Sequence, residues 1–422
     1  MPPSVLEQVW RESWGRLLGQ LMARYGRADL VEDALAEAFA EAAEQWSRSG
    51  TPDNPGGWIR TVAGRRVLDA RRRERTARRY AHLLVDDGVR PGPDPAAGQD
   101  WGAEGVDERL PLLFMSTHPA LSEEVRPALA LRFVLGVPTA DIARLFLVPQ
   151  ATMAARLTRA KARVHRSGIP FTVPARARWP ERVEDVARAI YLAFTAGYAP
   201  SGGEVVVRTA PAGEAVRLAQ LAADLLPGRP VLEALAALLE LQHARRDSRM
   251  DAEGRPVRLV EQDRGRWHQV EIDAGLRRLT ALSPTGGLAE ELRLQALIAA
   301  FHNTAARPAD TDWAAIARTY ARLETITDSP IVRLNRSVAV GEVSGPMAGL
   351  AVLRAASDRL PGHHRVALVR AELLRRDGQS AAAQEAYAEA IAACPAGAER
   401  EHIRGRLAEM RPAADGPSDG AD

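Results

Sequence analysis

The sequence predicts an all-α protein. Strand-like alternation is scarce, Ala, Leu, Arg and Glu dominate, and one segment after another repeats apolar residues at helical spacing. At 422 residues the chain has room for two or three domains, each with its own core. Net charge is only +2, so a local excess of base is balanced elsewhere. Nearly all the base is arginine; Lys161 is the only lysine. Cys394 is the only cysteine, which excludes a disulfide framework and a cysteine-based zinc site and fits a reducing cytosol. No apolar run is long enough to span a membrane. The opening MPPSVLEQVWRESW lacks the basic flank and apolar core of a signal peptide, so the expected location is cytoplasmic.

Leu6 to Tyr25 reads as the first helix, with Leu6, Val9, Trp10, Leu17, Leu18 and Leu21 on its apolar face. Asp29 is placed to cap the second. There Val31, Ala34, Leu35, Ala38, Phe39, Ala42 and Trp46 form a stripe, and Glu37, Glu41 and Glu44 lie opposite. That acidic side fits a solvated face or a basic protein partner. Ser47 to Gly57 is dense in turn residues and reads as a loop. It leads through Trp58 into the most basic stretch of the chain. Arg60 to Arg79 carries Arg60, Arg65, Arg66, Arg71, Arg72, Arg73, Arg75, Arg78 and Arg79 against only Asp69 and Glu74. Ile59, Val62, Ala63, Val67 and Ala70 still keep a helical stripe. A helix with one buried stripe and an arginine-loaded face is either solvated or a reader of polyanions. Trp58 fits the core or a stacking face for an unpaired base.

Residues 81–106 hold Pro, Gly and acid without apolar period and read as an extended tether. The first domain is therefore expected over 1–80 and the second over 107–170. Leu110, Leu112, Leu113 and Phe114 open a helix; Ser122 caps another that runs to Val134 and stops at Gly136 and Pro138. Thr139 to His165 has the pattern of a helix-turn-helix. Thr139 caps its first helix, Ile142, Ala143, Leu145 and Phe146 are the buried positions, and Leu147 to Gln150 form the turn. Met153, Leu157, Ala160 and Val164 bury the second helix. Gln150, Ala151, Thr152, Ala155, Arg156, Arg159 and Arg163 are left facing outward. In this motif the outward N-terminal end reaches base edges, and arginines further along take phosphate. Leu147 stands where such turns usually place Gly, a strain of roughly 1 kcal/mol. A plain helical hairpin fits the same pattern.

Residues 171–411 read as a third, wholly helical domain, and 412–422 as a disordered tail. Helices are expected at Glu181–Tyr198, Glu214–Leu226 and Val231–Arg245, with a charged loop at Arg246–Arg266. Ala383, Tyr387, Ala390 and Pro395 occupy the small, aromatic, small and Pro positions of a tetratricopeptide repeat. Gly349, Leu353, Ala356 and Pro361 repeat them 34 residues earlier, the period of that repeat. Ala371 and Leu374 correspond in the same way to Ser337 and Val340, and Asp312 to Thr327 reads as a further, degenerate unit. No constellation of acid, base or nucleophile converges, and His268, His302, His363 and His364 lack metal spacing with carboxylates. Neither enzyme activity, nor cofactor, nor metal is expected.

Taken together these segments resemble an extracytoplasmic-function (ECF) sigma factor of bacterial RNA polymerase. DLVEDALAEAFAEAAEQW (29–46) resembles the region that docks on the β′ clamp helices, which assigns polymerase contacts to Asp33, Glu37, Phe39 and Glu41. PGGWIRTVAGRRVLDARRR (55–73) is similar to the stretch that melts and reads the −10 element. Trp58, Ala63, Asp69 and Arg72 match the family pattern, whereas Gly64-Arg65 departs from its Arg-Asn. The resemblance implies DNA contacts by Trp58, Arg60, Arg65, Arg66, Arg72 and Arg73. Thr152 to Ala160 resembles the −35 recognition helix, which gives Gln150, Ala151, Thr152, Ala155, Arg156, Arg159 and Arg163 that role.

The resemblance is closest to a subgroup with a large helical C-terminal extension. FMSTHPAL (114–121) resembles its Phe-x-Cys-Cys-His-Pro-Ala-Leu, with Ser116 and Thr117 in place of the cysteines, so no redox or metal role carries over. Phe146 to Pro149, Ile169 to Phe171 and Tyr191 to Tyr198 continue the match. The implied partners are core RNA polymerase (β′ clamp helices and β flap), promoter DNA, and a protein or small-molecule regulator on the C-terminal domain, with no membrane involved. An alternative reading is a helix-turn-helix regulator with a ligand- or protein-binding helical C-terminus; it leaves Arg60–Arg79 without a role.

Overall fold

A computed structural model describes residues 5–25, 28–81, 109–119, 121–166, 174, 176–198, 209–252, 254–395 and 397–410. The tether at 82–106, the Ile169–Phe171 motif and the tail at 412–422 lie outside the described residues. No strand occurs among the described residues, and no described helix is long and apolar enough to cross a membrane. Contacts divide the chain into Met1–Ala196 with Asp224–Leu226, and Gly197–Ala223 with Pro227–Asp422.

The first unit opens with α1 (Val5–Tyr25), α2 (Ala28–Ser49) and α3 (Pro55–Ala81). The stripe expected on α2 is its core: Val31, Ala34, Leu35, Ala38, Phe39, Ala42 and Trp46 are all buried. Phe39 meets Trp10 and Trp14 at ring distances of 4.6 and 5.7 Å. Ile59, Ala63 and Val67 bury the matching stripe of α3. Asn54 starts α3: its Oδ1 accepts from the Gly57 amide at 2.9 Å, with Pro55 following as the first helical residue.

Beyond the tether come α4 (Arg109–Ser116) and α5 (Val125–Leu129), which opens without a side-chain cap instead of at Ser122. α5 runs directly into a π-turn over Ala130–Val134. The wider turn ends in carbonyls that helix bonding leaves unclaimed. The Trp14 indole Nε1 donates to one of them, Phe133 O, at 3.1 Å. Gly15 presses on the next: a Cβ there would stand 2.2 Å from Val134 O. Two segments expected to be independent across a tether are therefore packed on one another through α1.

α6 (Thr139–Leu145) and α7 (Gln150–Arg166) follow, then a 3-10 turn at Arg176–Arg182 and α8 (Val183–Tyr198). The first unit reaches Ala196, past the boundary expected at residue 170. Trp179 explains the difference. It is 2% exposed, stacks on Phe114 at 4.3 Å, and donates its indole N–H to Pro174 O at 2.9 Å. Arg182 donates to Phe114 O at 2.7 Å, and Arg126 pairs with Asp185 at 2.9 Å.

In the second unit α9 (Thr209–Leu225) precedes α10 (Pro230–His243), which is buried nearly all round and packs against α11 (Gln269–Thr280) and α12 (Gly287–Thr304). α13 (Trp313–Thr327), α14 (Pro330–Ser344), α15 (Pro346–Ser357), α16 (His364–Arg376), α17 (Ser380–Ala393) and α18 (Ala398–Glu409) complete a stack of hairpins. Pro330 and His364 open the first helices of two units and Pro346 and Ser380 the second, a register of 34 residues in both. Most positions read as repeat signature are packing positions: Leu353, Ala356, Ala371, Ala383, Tyr387 and Ala390 are buried, Val340 and Leu374 half-buried, and Pro361 and Pro395 exposed. Gly349 lets α14 and α15 touch, since a Cβ would meet Ser337 O at 2.7 Å and Gly341 Cα at 3.1 Å.

Candidate nucleic-acid interface

α3 presents two classes of arginine. Arg60, Arg65, Arg72 and Arg73 are exposed, and Arg72 lies 3.5 Å from Asp69 with 79% of its side chain accessible. Arg66 and Arg71 are half-buried and bonded within the protein. Arg66 pairs with Glu37 and, at 2.6 Å, with Glu41, which ties α3 to α2 and raises its already high pKa. Arg71 donates to Tyr25 O and lies over the Tyr25 ring. Arg66, expected with Arg65 to contact DNA, is thus bonded to α2 with 37% of its side chain still accessible. Glu37 and Glu41 are in turn already partnered on the acidic side of α2, while Asp33 is exposed. Phe39, expected at the polymerase face, is 3% exposed and belongs to the core. A position cannot serve a stripe and the opposite face together.

Trp58 is half-buried and meets Trp46 edge-on at 5.6 Å beside the loop 50–54. Gly64, at the departure from Arg-Asn, is buried beneath Tyr25, whose hydroxyl would be 3.0 Å from a Cβ there.

α7 divides as its periodicity requires. Met153, Leu157 and Ala160 are buried; Gln150, Ala151, Thr152, Ala155 and Arg159 are exposed. Arg156 is half-exposed and 3.8 Å from Glu124. Arg163 lies on the same helix, its side chain outside the described residues, as is that of Val164. Thr139 does not cap α6. Pro138 takes the N-cap place and Thr139 is the first helical residue, because the extended backbone of Pro138 turns the chain one residue earlier. Ile142 and Ala143 are buried, while Leu145 and Phe146 are only half-buried.

Leu147 has φ 52° with 75% of its surface exposed, so the left-handed turn is made without glycine. Leu147→Gly is expected to stabilise the protein by up to about 1 kcal/mol, the αL strain less the added freedom of the unfolded chain. Chemical denaturation checks this; a less stable variant would show that the exposed side chain is held by contacts.

The geometry is thus an exposed arginine row on α3 and a two-faced α7 after a left-handed turn. Residues 11–77 match the family described as Sigma-70 region 2, and 112–164 the family described as Sigma-70, region 4. Residues 182–283 match a further family, described as a family of unknown function (DUF6596). The chain belongs to the ECF-like sigma factors with a C-terminal extension. This sigma factor binds core RNA polymerase and recognises promoter elements, as a transcription initiation factor does. It is 38% identical over 392 residues to an uncharacterized protein of Rhizobium meliloti (strain 1021), covering 92% of each chain. No solved structure matches the sigma factor.

Two features of the extension were not legible beforehand. His364, Cys394 and Glu399 bring a nitrogen, a sulfur and an oxygen within 4.8 Å of one another at three helix ends, although nothing in their spacing foretold it. Burial and the charges of Arg245 and Arg264 hold His302 down at about 4. The unfolded chain then takes up that proton first, so stability falls as pH drops from 6.5 toward 4. The contribution is about 1.4 kcal/mol per pH unit within that window. His302→Leu is expected to flatten this part of the stability profile; an unchanged slope in denaturation series would show that other groups carry it.

Proposed function

We propose that the exposed arginines of α3, with Trp58 and the loop before it, read the −10 element and hold an unpaired base. On this reading Arg60, Arg65, Arg72 and Arg73 take phosphate and duplex edge. Gln150, Ala151, Thr152 and Ala155 meet base edges of the −35 element, with Arg156, Arg159 and Arg163 on phosphate. Asp33, Glu37 and Glu41 face the β′ clamp helices, with the Arg66 bridge fixing that acidic side against the DNA-reading helix. The region 4 part meets the β flap. The observation that carries this reading is the split of α7, whose buried and exposed positions alternate as a recognition helix requires. Two readers in one chain raise the effective concentration of the second contact.

The extension acts in cis on these readers. Its hairpin stack offers the kind of surface that binds peptides or helices. The test compares the full chain with one ended after Ala196, since a cut at 171 would strip Trp179 from Phe114. With core polymerase on one promoter, transcript yield from the two chains is expected to differ. Equal yield would remove control in cis while leaving promoter reading intact.

A further inference from the structure

A concentration of buried charge in the extension lies outside the segments that match regions 2 and 4. Arg245 follows α10 and is nine-tenths buried, with 9% of its surface exposed. Arg249 lies over the Tyr198 ring at 4.2 Å and donates to Gln242 O at 3.1 Å. Arg264 donates to His302 O and Ala305 O at 2.6 and 2.5 Å. Arg245 and Arg264 share the Trp267 ring, at 6.0 and 4.6 Å. Among the described residues no carboxylate pairs with any of the three, and each has an Nε without a hydrogen-bond partner. Asn303 Oδ1 is likewise unpartnered, although its amide nitrogen donates to Leu241 O.

The nearby acids are ion-paired to other residues, although Asp310 also attracts Arg264 at longer range. Glu271 is held by Arg246 and His243, Asp247 by His268, Asp251 by Arg255, and Asp310 by Arg307. Arg249 and Arg264 both repel the Arg245 guanidinium. Burial together with Arg249 and Arg264 drives Arg245 down to about 9. A buried charge without a partner is strongly destabilising. The aromatic faces offset only part of that. The planar donor fork of arginine matches a carboxylate or phosphoryl group.

We propose that Arg245, Arg249 and Arg264 form a binding site for a small oxyanion, the phosphoryl or carboxylate group of a soluble molecule. Arg245 is only 9% exposed, which favours a small ligand over a nucleic-acid strand or a protein segment. Three of the residues involved, with Trp267, lie in the stretch that matches the family of unknown function.

Thermal melting of the full chain tests this without polymerase or DNA, so its outcome is separate from promoter reading. Inorganic phosphate, pyrophosphate and citrate are compared with chloride at matched ionic strength. A saturable rise in Tm with phosphate or pyrophosphate marks a phosphoryl site, and a rise with citrate alone a carboxylate site. Arg245→Met is expected to abolish the rise and, in chloride, to melt no lower than the parent, because it removes an unpaired buried charge. Arg159→Ala, on the DNA-reading helix, is expected to keep the rise. The proposal is overturned if no oxyanion exceeds chloride, if Arg245→Met keeps the full rise, or if it melts well below the parent in chloride. Arg249→Gln repeats the test independently: loss of the rise supports the site, and a full rise removes Arg249 from it.

Discussion

Trp179→Ala is expected to destabilise the first unit by about 3–5 kcal/mol, the usual range for removing a buried tryptophan. The ring is 2% exposed and stacked on Phe114, and its N–H is satisfied by Pro174 O. Phe114 itself lies on α4 and is fully buried. Removing the indole leaves a cavity beneath the part that carries α7. A loss of that size is a large fraction of the stability of a typical domain. Promoter activity at the growth temperature should fall with it, although the buried residue 179 is not among the proposed DNA contacts. Denaturant titration of the parent and variant reads the effect directly. A change below about 1 kcal/mol would mean that Trp179 merely covers region 4.

The second large effect is functional. Arg159→Ala is expected to weaken binding to the upstream element roughly equally across sequences, and to lower the slope of log K against log salt by about one. Arg159 is exposed on the outward side of α7, so its loss removes little packing. Thr152→Ala acts differently on the same reading: it changes preference among sequences more than salt dependence. Arg72→Ala, on the α3 row, should leave upstream binding intact and reduce promoter opening. Identical salt slopes for the parent and Arg159→Ala would take that arginine off the phosphate backbone.

Much of the architecture was legible because it follows from period. The α2 stripe, the two faces of α7 and the 34-residue register depend on spacing within one or two helices, and they are found where spacing puts them. The left-handed residue at Leu147 was legible for a similar reason, since the turn fixes the backbone whatever side chain occupies it. Interactions between distant segments left no such trace. Trp14 reaching Phe133 O, Trp179 covering Phe114 and Arg66 bridging to Glu37 and Glu41 depend on where the chain returns, which local pattern does not encode. Phe39 shows a tension within a single helix: likeness assigns it a polymerase contact, while its place in the apolar stripe buries it in the core. The segment at 246–266 read only as a charged loop, because composition cannot tell an exposed arginine from one packed on the Trp267 ring.

Reconstituted transcription tests the central claim most directly. The full chain is combined with core RNA polymerase on a promoter fragment, and transcript start and open-complex formation are followed. The account predicts initiation from a defined start that requires the chain, with loss of opening in Arg72→Ala and loss of upstream protection in Arg159→Ala. A chain that shifts promoter DNA by itself yet starts no transcript with core polymerase on any candidate promoter would contradict it, and would favour a helix-turn-helix regulator instead.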